Sequence, residues 1–352
     1  MKIISQKQLS NTNLMKVCIC GGGNLAQVIA AYLTSHQRAE VNVLTRNPQN
    51  WNHTIQLKTP DSEFHTGNID VISDNPERAL VDCDIVLLCV PGFANQSVLQ
   101  KIKPYLKNTM FVGTVFSSTG FFFDAFEVLG NDIPLWGFQR VPFISRIIEY
   151  GKLAELKGYK KQHLIAVENT DNKEEFRAVV EHLFGSPTKL LSNYYEATFT
   201  NSNAILHPSH LYVLFKDWKP GMKYPNCIPF YDSWDVETSQ LYIEMDKELA
   251  AILKQLPVRK DYLPSVLEYY ESTDAQSLTN KILSIFGNQG FKSPMIEVEG
   301  GWVPDLNSRY FQEDFGCCLR YIYETGKSCK VNTPTIDMIY NWGEDLIKSN
   351  NS

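Results

Sequence analysis

The stretch KVCICGGGNLAQVIAAYLT, from Lys16 to Thr34, sets an apolar, β-prone run directly against three glycines and follows them at once with a helical pattern. Strand, glycine turn, helix is an order few folds accept. The turn spells G-x-G-x-x-A through Gly21, Gly23 and Ala26. Gly21 permits the tight exit from the strand, Gly23 lets the backbone approach a pyrophosphate, and Ala26 lets the helix pack close on the sheet. The helix N-terminus, with Gly22, Asn24 and Leu25 around it, supplies free N–H donors and the positive end of a dipole. The competing reading is a glycine-rich turn that holds nothing. The context, a strand before, a helix after and a second strand EVNVLTR further on, favours dinucleotide binding.

The 352 residues exceed what one core usually serves, so two domains are expected. Up to residue 192, short apolar runs alternate with helical patterns: KVCIC, EVNVLTR, DIVLLCVP, TMFVGTVF, PLWGFQRVP and HLIAVEN are the strands. Near-continuous apolar strands between helices indicate a parallel sheet covered on both faces, a doubly wound α/β domain. Residues 1–14 precede it as a polar arm. From Asn193 to residue 352 the patterns are helical, including YYEATFTNSNAILHPSHLYVLF and EDFGCCLRYIYETG. The expected fold class is therefore α/β plus all-α.

An NAD-preferring site usually carries an acid at the end of the second strand, to bind the ribose 2′-OH. Here the strand ends Leu44, Thr45, Arg46, Asn47, with no acid. The planar fork of Arg46 suits a 2′-phosphate, and Thr45 and Asn47 can add hydrogen bonds. This favours NADP and leaves NAD open. By position in such a domain, Cys89, Val90 and Pro91 should lie beside the nicotinamide end of the cofactor, and Gly113 with Thr114 should line the same cleft.

Net charge is -6 with pI near 5.7, which argues against nucleic acid or an anionic membrane as the main partner. No apolar run is long enough to span a bilayer. The eight cysteines form no C-x-x-C pair and read as reduced thiols in a cytoplasmic protein rather than a metal site. Small-molecule substrates are the expected partners, and a homodimer is one assembly open to such a chain.

Two stretches of the second half carry chemistry. In NSNAILHPSH, Asn203 and His207 share a helix face, and Pro208 should bend the helix just after His207. In NSRYFQEDFG, Arg309 and Asp314 would point about 140° apart on one α-helix. They face one cleft only if the helix begins near Asp314; Glu313, four residues from Arg309, is the alternative acid. Read from the residues alone, this is one acid–base set among several arrangements.

The order GGGNLA, N-x-x-x-H-P, R-Y-x-x-E-D and VNTP resembles the octopine/nopaline (opine) dehydrogenase family over about residues 15 to 348. The resemblance implies a Rossmann domain followed by an all-helical domain. It also implies reductive condensation of an amino acid with a 2-oxo acid through an imine, at the expense of NAD(P)H. It implies His207 and Asp314 as a proton-relay pair, Arg309 as the holder of a substrate carboxylate, and Asn203 as a neighbour of less defined role. The chemistry is coherent: histidine shuttles protons near neutral pH, and a carboxylate behind it fixes its tautomer.

Arg140 and Arg146 match no motif; they are either surface arginines or a second carboxylate site. A ketopantoate-reductase-like or 2-hydroxy-acid dehydrogenase would share the glycine loop. Such enzymes rely on a helical lysine, and neither Asn203 nor His207 is one. A non-catalytic dinucleotide sensor would keep the loop but need not keep histidine, arginine and aspartate together.

Overall fold

KVCIC is buried on both faces because it runs through the middle of a sheet. In the computed structural model, which describes residues 14–200, 203–285 and 290–350, strand β1 (Met15–Cys20) pairs in parallel with β2 (Ala39–Leu44) on one side and β6 (Ile85–Leu88) on the other. Val17 and Ile19 enter the core on one face, Cys18 and Cys20 the core on the other. The arm expected over residues 1–14 lies outside the described residues but for Leu14.

The chain divides into two compact units, Met1–Thr198 and Phe199–Ser352. In the first, β5 (Val71–Ser73), β7 (Phe111–Thr114) and β8 (Leu135–Phe138) complete the order β5-β2-β1-β6-β7-β8, the Rossmann arrangement. Two further strands extend it: β11 (His163–Glu168) pairs antiparallel with β8, and β12 (Thr188–Leu190) parallel with β11. Helices α1 (Asn24–Ser35) and α5 (Lys173–Phe184) cover one face; α2 (Pro76–Ala79), α3 (Asn95–Ile102), α4 (Phe121–Leu129) and α6 (Tyr194–Thr198) cover the other. Residues 193–198, expected in the second domain, belong with the first unit. Glu168 accepts from the Tyr194 amide, Gln139 donates to the Glu196 carbonyl, and the Tyr194 ring packs on Phe122 and Phe126.

A second sheet was not anticipated. β3 (Thr54–Lys58), β4 (Phe64–Asn68), β9 (Phe143–Glu149) and β10 (Leu153–Tyr159) form a four-stranded layer in the order β4-β3-β10-β9, packed on α1. The single strand expected over PLWGFQRVP is β8 alone; the chain then leaves the main sheet for β9. Arg140 follows β8, and Arg146 is an exposed residue of β9 bonded to the Ser145 carbonyl.

Among the described residues, the second unit is helical apart from a hairpin of β13 (Met295–Val298) and β14 (Gly301–Pro304). Its helices are α7 (Asn203–Phe215), α8 (Val236–Leu253), α9 (Val266–Tyr269), α10 (Ala275–Leu283), α11 (Arg320–Ser328) and α12 (Pro334–Asn350), with a π-helix over Tyr310–Leu319. Helix α7 runs on through Pro208. Residues 204–211 are all buried, and packing of α7 against the π-helix and α8 outweighs the roughly 3 kcal/mol a mid-helix proline costs.

Candidate functional site

The three glycines have three separate reasons. Gly21 has φ +139°, and a Cβ there would stand 2.5 Å from the Cys89 carbonyl oxygen, so the turn and the neighbouring strand end both demand glycine. At Gly22 a Cβ would stand 2.5 Å from the Tyr150 hydroxyl and 3.1 Å from Thr45 Oγ1. At Gly23 it would meet no protein atom within 4 Å. Gly23 is the N-cap of α1, has no side-chain cap, and precedes a first turn without acids. Open space, free N–H groups and a positive dipole end are what an anion requires.

That space belongs to a cavity of about 650 Å³, within the size range of small-molecule sites. Its walls include Gly21, Gly22, Gly23, Thr45, Arg46, Asn47, Cys89, Val90 and Pro91, and also Phe93, Ser97, Lys101 and Tyr150, which the sequence had not marked. Arg46 is exposed and forms no ion pair among the described residues. Burial raises the Cys89 thiol well above its usual pKa, so it presents a neutral SH to the cavity rather than a nucleophile.

Five expected residues do not line this cavity. Asn24 turns away, its Oδ1 accepting from the Ile147 amide at 2.8 Å. Leu25 packs on the core and Ala26 is fully buried beneath α1, which is the close helix–sheet packing expected of it. Gly113 and Thr114 are also absent: a Cβ on Gly113 would collide with the Trp136 indole, so this glycine serves packing.

In the helical unit, α7 brings His207 to the π-helix. His207 Nδ1 lies 2.8 Å from Asp314 Oδ2, and Nε2 lies 3.2 Å from the Tyr231 hydroxyl. A carboxylate oxygen accepts, so Nδ1 carries the hydrogen; in the neutral ring Nε2 is then the acceptor for Tyr231. The imidazole is buried against Phe230 and Tyr310. Burial raises the Tyr231 and Tyr310 phenols above their usual range, with the Asp314 carboxylate adding to each.

The π-helix resolves the α-helical conflict between Arg309 and Asp314. Residues five apart come closer to one face in an i→i+5 helix than the 140° of an α-helix allows. Both acids find partners: Arg309 Nε and Nη2 donate to Glu313 Oε2 at 2.9 and 2.7 Å, and Asp314 goes to His207. Arg309 keeps most of its side chain exposed while Glu313 is buried. Asn203 sits exposed at the start of α7.

His210, one turn beyond His207, supports the arrangement. Its Nε2 donates to the Phe230 carbonyl at 2.6 Å and lies 3.2 Å from Ser233 Oγ, fixing the turn that carries Tyr231. Burial lowers its pKa to about 4, so it is neutral at physiological pH. Among the described residues no group of three or more His, Cys, Asp or Glu is placed to hold a metal, and no helix is long and apolar enough to cross a membrane.

Residues 190–347 match the family described as NAD/NADP octopine/nopaline dehydrogenase, alpha-helical domain. That match takes in most of the helical unit. Residues 17–116 match the ketopantoate reductase PanE/ApbA family. Over nearly its whole length the chain is similar to octopine dehydrogenase of Pecten maximus, 26% identical over 95% of this chain and 90% of that one. Opine dehydrogenase of Haliotis discus hannai is 28% identical over 94% and 90%. Among solved structures, octopine dehydrogenase with NADH and L-arginine superposes with a TM-score of 0.82 at 24% identity, over 95% and 90% of the chains. Yersinopine dehydrogenase with NADP+ gives 0.71 at 15% identity, over 96% and 92%.

Proposed function

We propose that this protein is an opine-dehydrogenase-like NAD(P)H-dependent oxidoreductase, reducing the imine formed between an amino acid and a 2-oxo acid to an N-(carboxyalkyl) amino acid. The observation that carries the reading is the His207–Asp314 pair at 2.8 Å, formed between two motifs 107 positions apart in a helical unit of this family. The relation to ketopantoate reductases is distant, their family model matching residues 17–116 alone.

The dinucleotide fits the cavity at the glycine loop, because the space a Gly23 side chain would fill is open. The α1 N-terminus and Gly21–Gly23 would hold its pyrophosphate and Arg46 a 2′-phosphate, which favours NADP over NAD. When bound, the nicotinamide supplies the hydride. His207 holds a proton at Nε2 for the oxygen that leaves as imine forms and takes it back in the reverse direction. Asp314 holds Nδ1–H and stabilises the imidazolium. Arg309, its Nη1 unpaired among the described residues, receives a substrate carboxylate, and Asn203 sits on the same face of α7 as His207. The eight cysteines, all thiols in the structure, agree with a cytoplasmic setting. A homodimer is part of the proposal, read by sedimentation.

The test is a screen of amino acid and 2-oxo acid pairs with NADPH and NADH, following loss of reduced nicotinamide. Turnover that needs both partners supports the reading. Equal turnover with a 2-oxo acid alone would replace it with a 2-hydroxy-acid dehydrogenase.

A further inference from the structure

The turn between β9 and β10 reaches across to the glycine loop and is fastened to it. Gly151 donates its amide to Gln27 Oε1 at 2.9 Å, and the same side chain donates from Nε2 to the Gly22 carbonyl at 3.0 Å. The Ile147 amide donates to Asn24 Oδ1, and Gly151, at φ +71°, accepts from the Asn52 amide. Gln27 is wholly buried, so this bridge is a built part of the unit.

From that turn the Tyr150 side chain enters the cavity. Its hydroxyl and Thr45 Oγ1 both crowd the side-chain space of Gly22, and neither makes a hydrogen bond among the described residues. Beside them stands the unpaired Arg46 guanidinium. The end of β2 is where a Rossmann domain meets the ribose 2′ substituent, normally with an acid. This chain has no acid there, but two idle hydroxyls converge on the place.

We infer that Tyr150 is a ligand of the adenosine ribose, its phenol and Thr45 Oγ1 hydrogen-bonding the 2′ substituent at Gly22. The inference rests on the cofactor part of the proposed function. A phenol hydroxyl can hydrogen-bond either a 2′-OH or a 2′-phosphate, so Tyr150 supports both cofactors, while Arg46 discriminates between them. Gly22 is glycine to leave room for Tyr150.

The experiment is a fluorescence titration of NADH, NADPH and reduced nicotinamide mononucleotide, which lacks the adenosine half. Tyr150→Phe keeps the ring beside Trp51 and deletes one oxygen. It should raise Kd for NADH and NADPH about three- to tenfold, the worth of one neutral hydrogen bond, and leave the mononucleotide unchanged. Gly22→Ala should reproduce that selective loss in the wild type and add little on top of Tyr150→Phe. Unchanged dinucleotide affinities in Tyr150→Phe, or an equal loss for the mononucleotide, would overturn the inference. The readout is binding, so failure of the amino-acid chemistry leaves it standing.

Discussion

The Tyr231 hydroxyl closes off His207: at 3.2 Å from Nε2 it occupies the ring nitrogen that Asp314 does not hold. A proton leaving Nε2 therefore meets Tyr231 first. Tyr231→Phe preserves the ring contacts with Phe230 and Phe291 and removes only the oxygen. We expect kcat about tenfold lower with unchanged melting temperature, measured by steady-state kinetics and calorimetry on the same preparation.

His207→Ala should lower kcat by about two to four orders of magnitude, the usual range for a positioned acid–base group. Cofactor affinity should persist, because the glycine loop lies in the other unit. Asp314→Asn should keep the fold and also lose turnover, since the tautomer support goes. Arg309→Ala should act mainly on KM for the carboxylate substrate. A folded His207→Ala enzyme with near-normal kcat would remove histidine from the mechanism.

Gly23→Val places a side chain where no protein atom stands within 4 Å. Folding should be unaffected, by circular dichroism and melting, while NAD(P)H binding is abolished. Gly21→Ala is the contrasting case: its Cβ meets the Cys89 carbonyl in a positive-φ backbone, so it should destabilise the unit by roughly 1–3 kcal/mol. Tight binding by Gly23→Val would mean the cavity holds something other than a dinucleotide.

Arg46→Ala should weaken NADPH far more than NADH, because the guanidinium has no carboxylate partner among the described residues and a 2′-phosphate is the partner it suits. Equal shifts in the two dissociation constants would show that Arg46 does not read the 2′ position.

His163 is buried in the first unit between Phe138 and Phe184, with neither ring nitrogen bonded among the described residues. Burial lowers its pKa to about 4. The unfolded chain takes up the proton near pH 6.5, so the stability this ring contributes is present above that pH and drains away as pH falls toward about 4. The integrated loss is on the order of 3 kcal/mol. His163→Phe should flatten the fall in urea midpoint between about pH 7 and about pH 5; a variant as acid-sensitive as the parent would assign the dependence elsewhere, with buried His210 the next candidate.

The glycine loop could be read from the sequence because strand, turn and helix are contiguous, and each residue's role is fixed by its neighbours. Thr45, Arg46 and Cys89 followed from where parallel strands must end. Tyr150 and Tyr231 could not be found this way. Each reaches its cavity or histidine from a turn with no periodicity, and Tyr150 arrives on a second sheet whose strands are scattered between residues 54 and 159. The Arg309/Asp314 geometry was blocked by assuming 3.6 residues per turn, and no local residue pattern announced the wider coil.

That wider coil makes the unit sensitive to chain length in a way point substitution does not reveal. Removing one residue between Phe315 and Leu319 would let the segment relax toward ordinary α-helical winding, and thermal stability would hold or rise. Removing one between Arg309 and Asp314 would instead bring Asp314 to the four-residue spacing at which Glu313 now meets Arg309, swinging Asp314 off His207. An insertion or deletion inside this helix is therefore a frameshift in space, and natural length variation should be confined to the loops on either side.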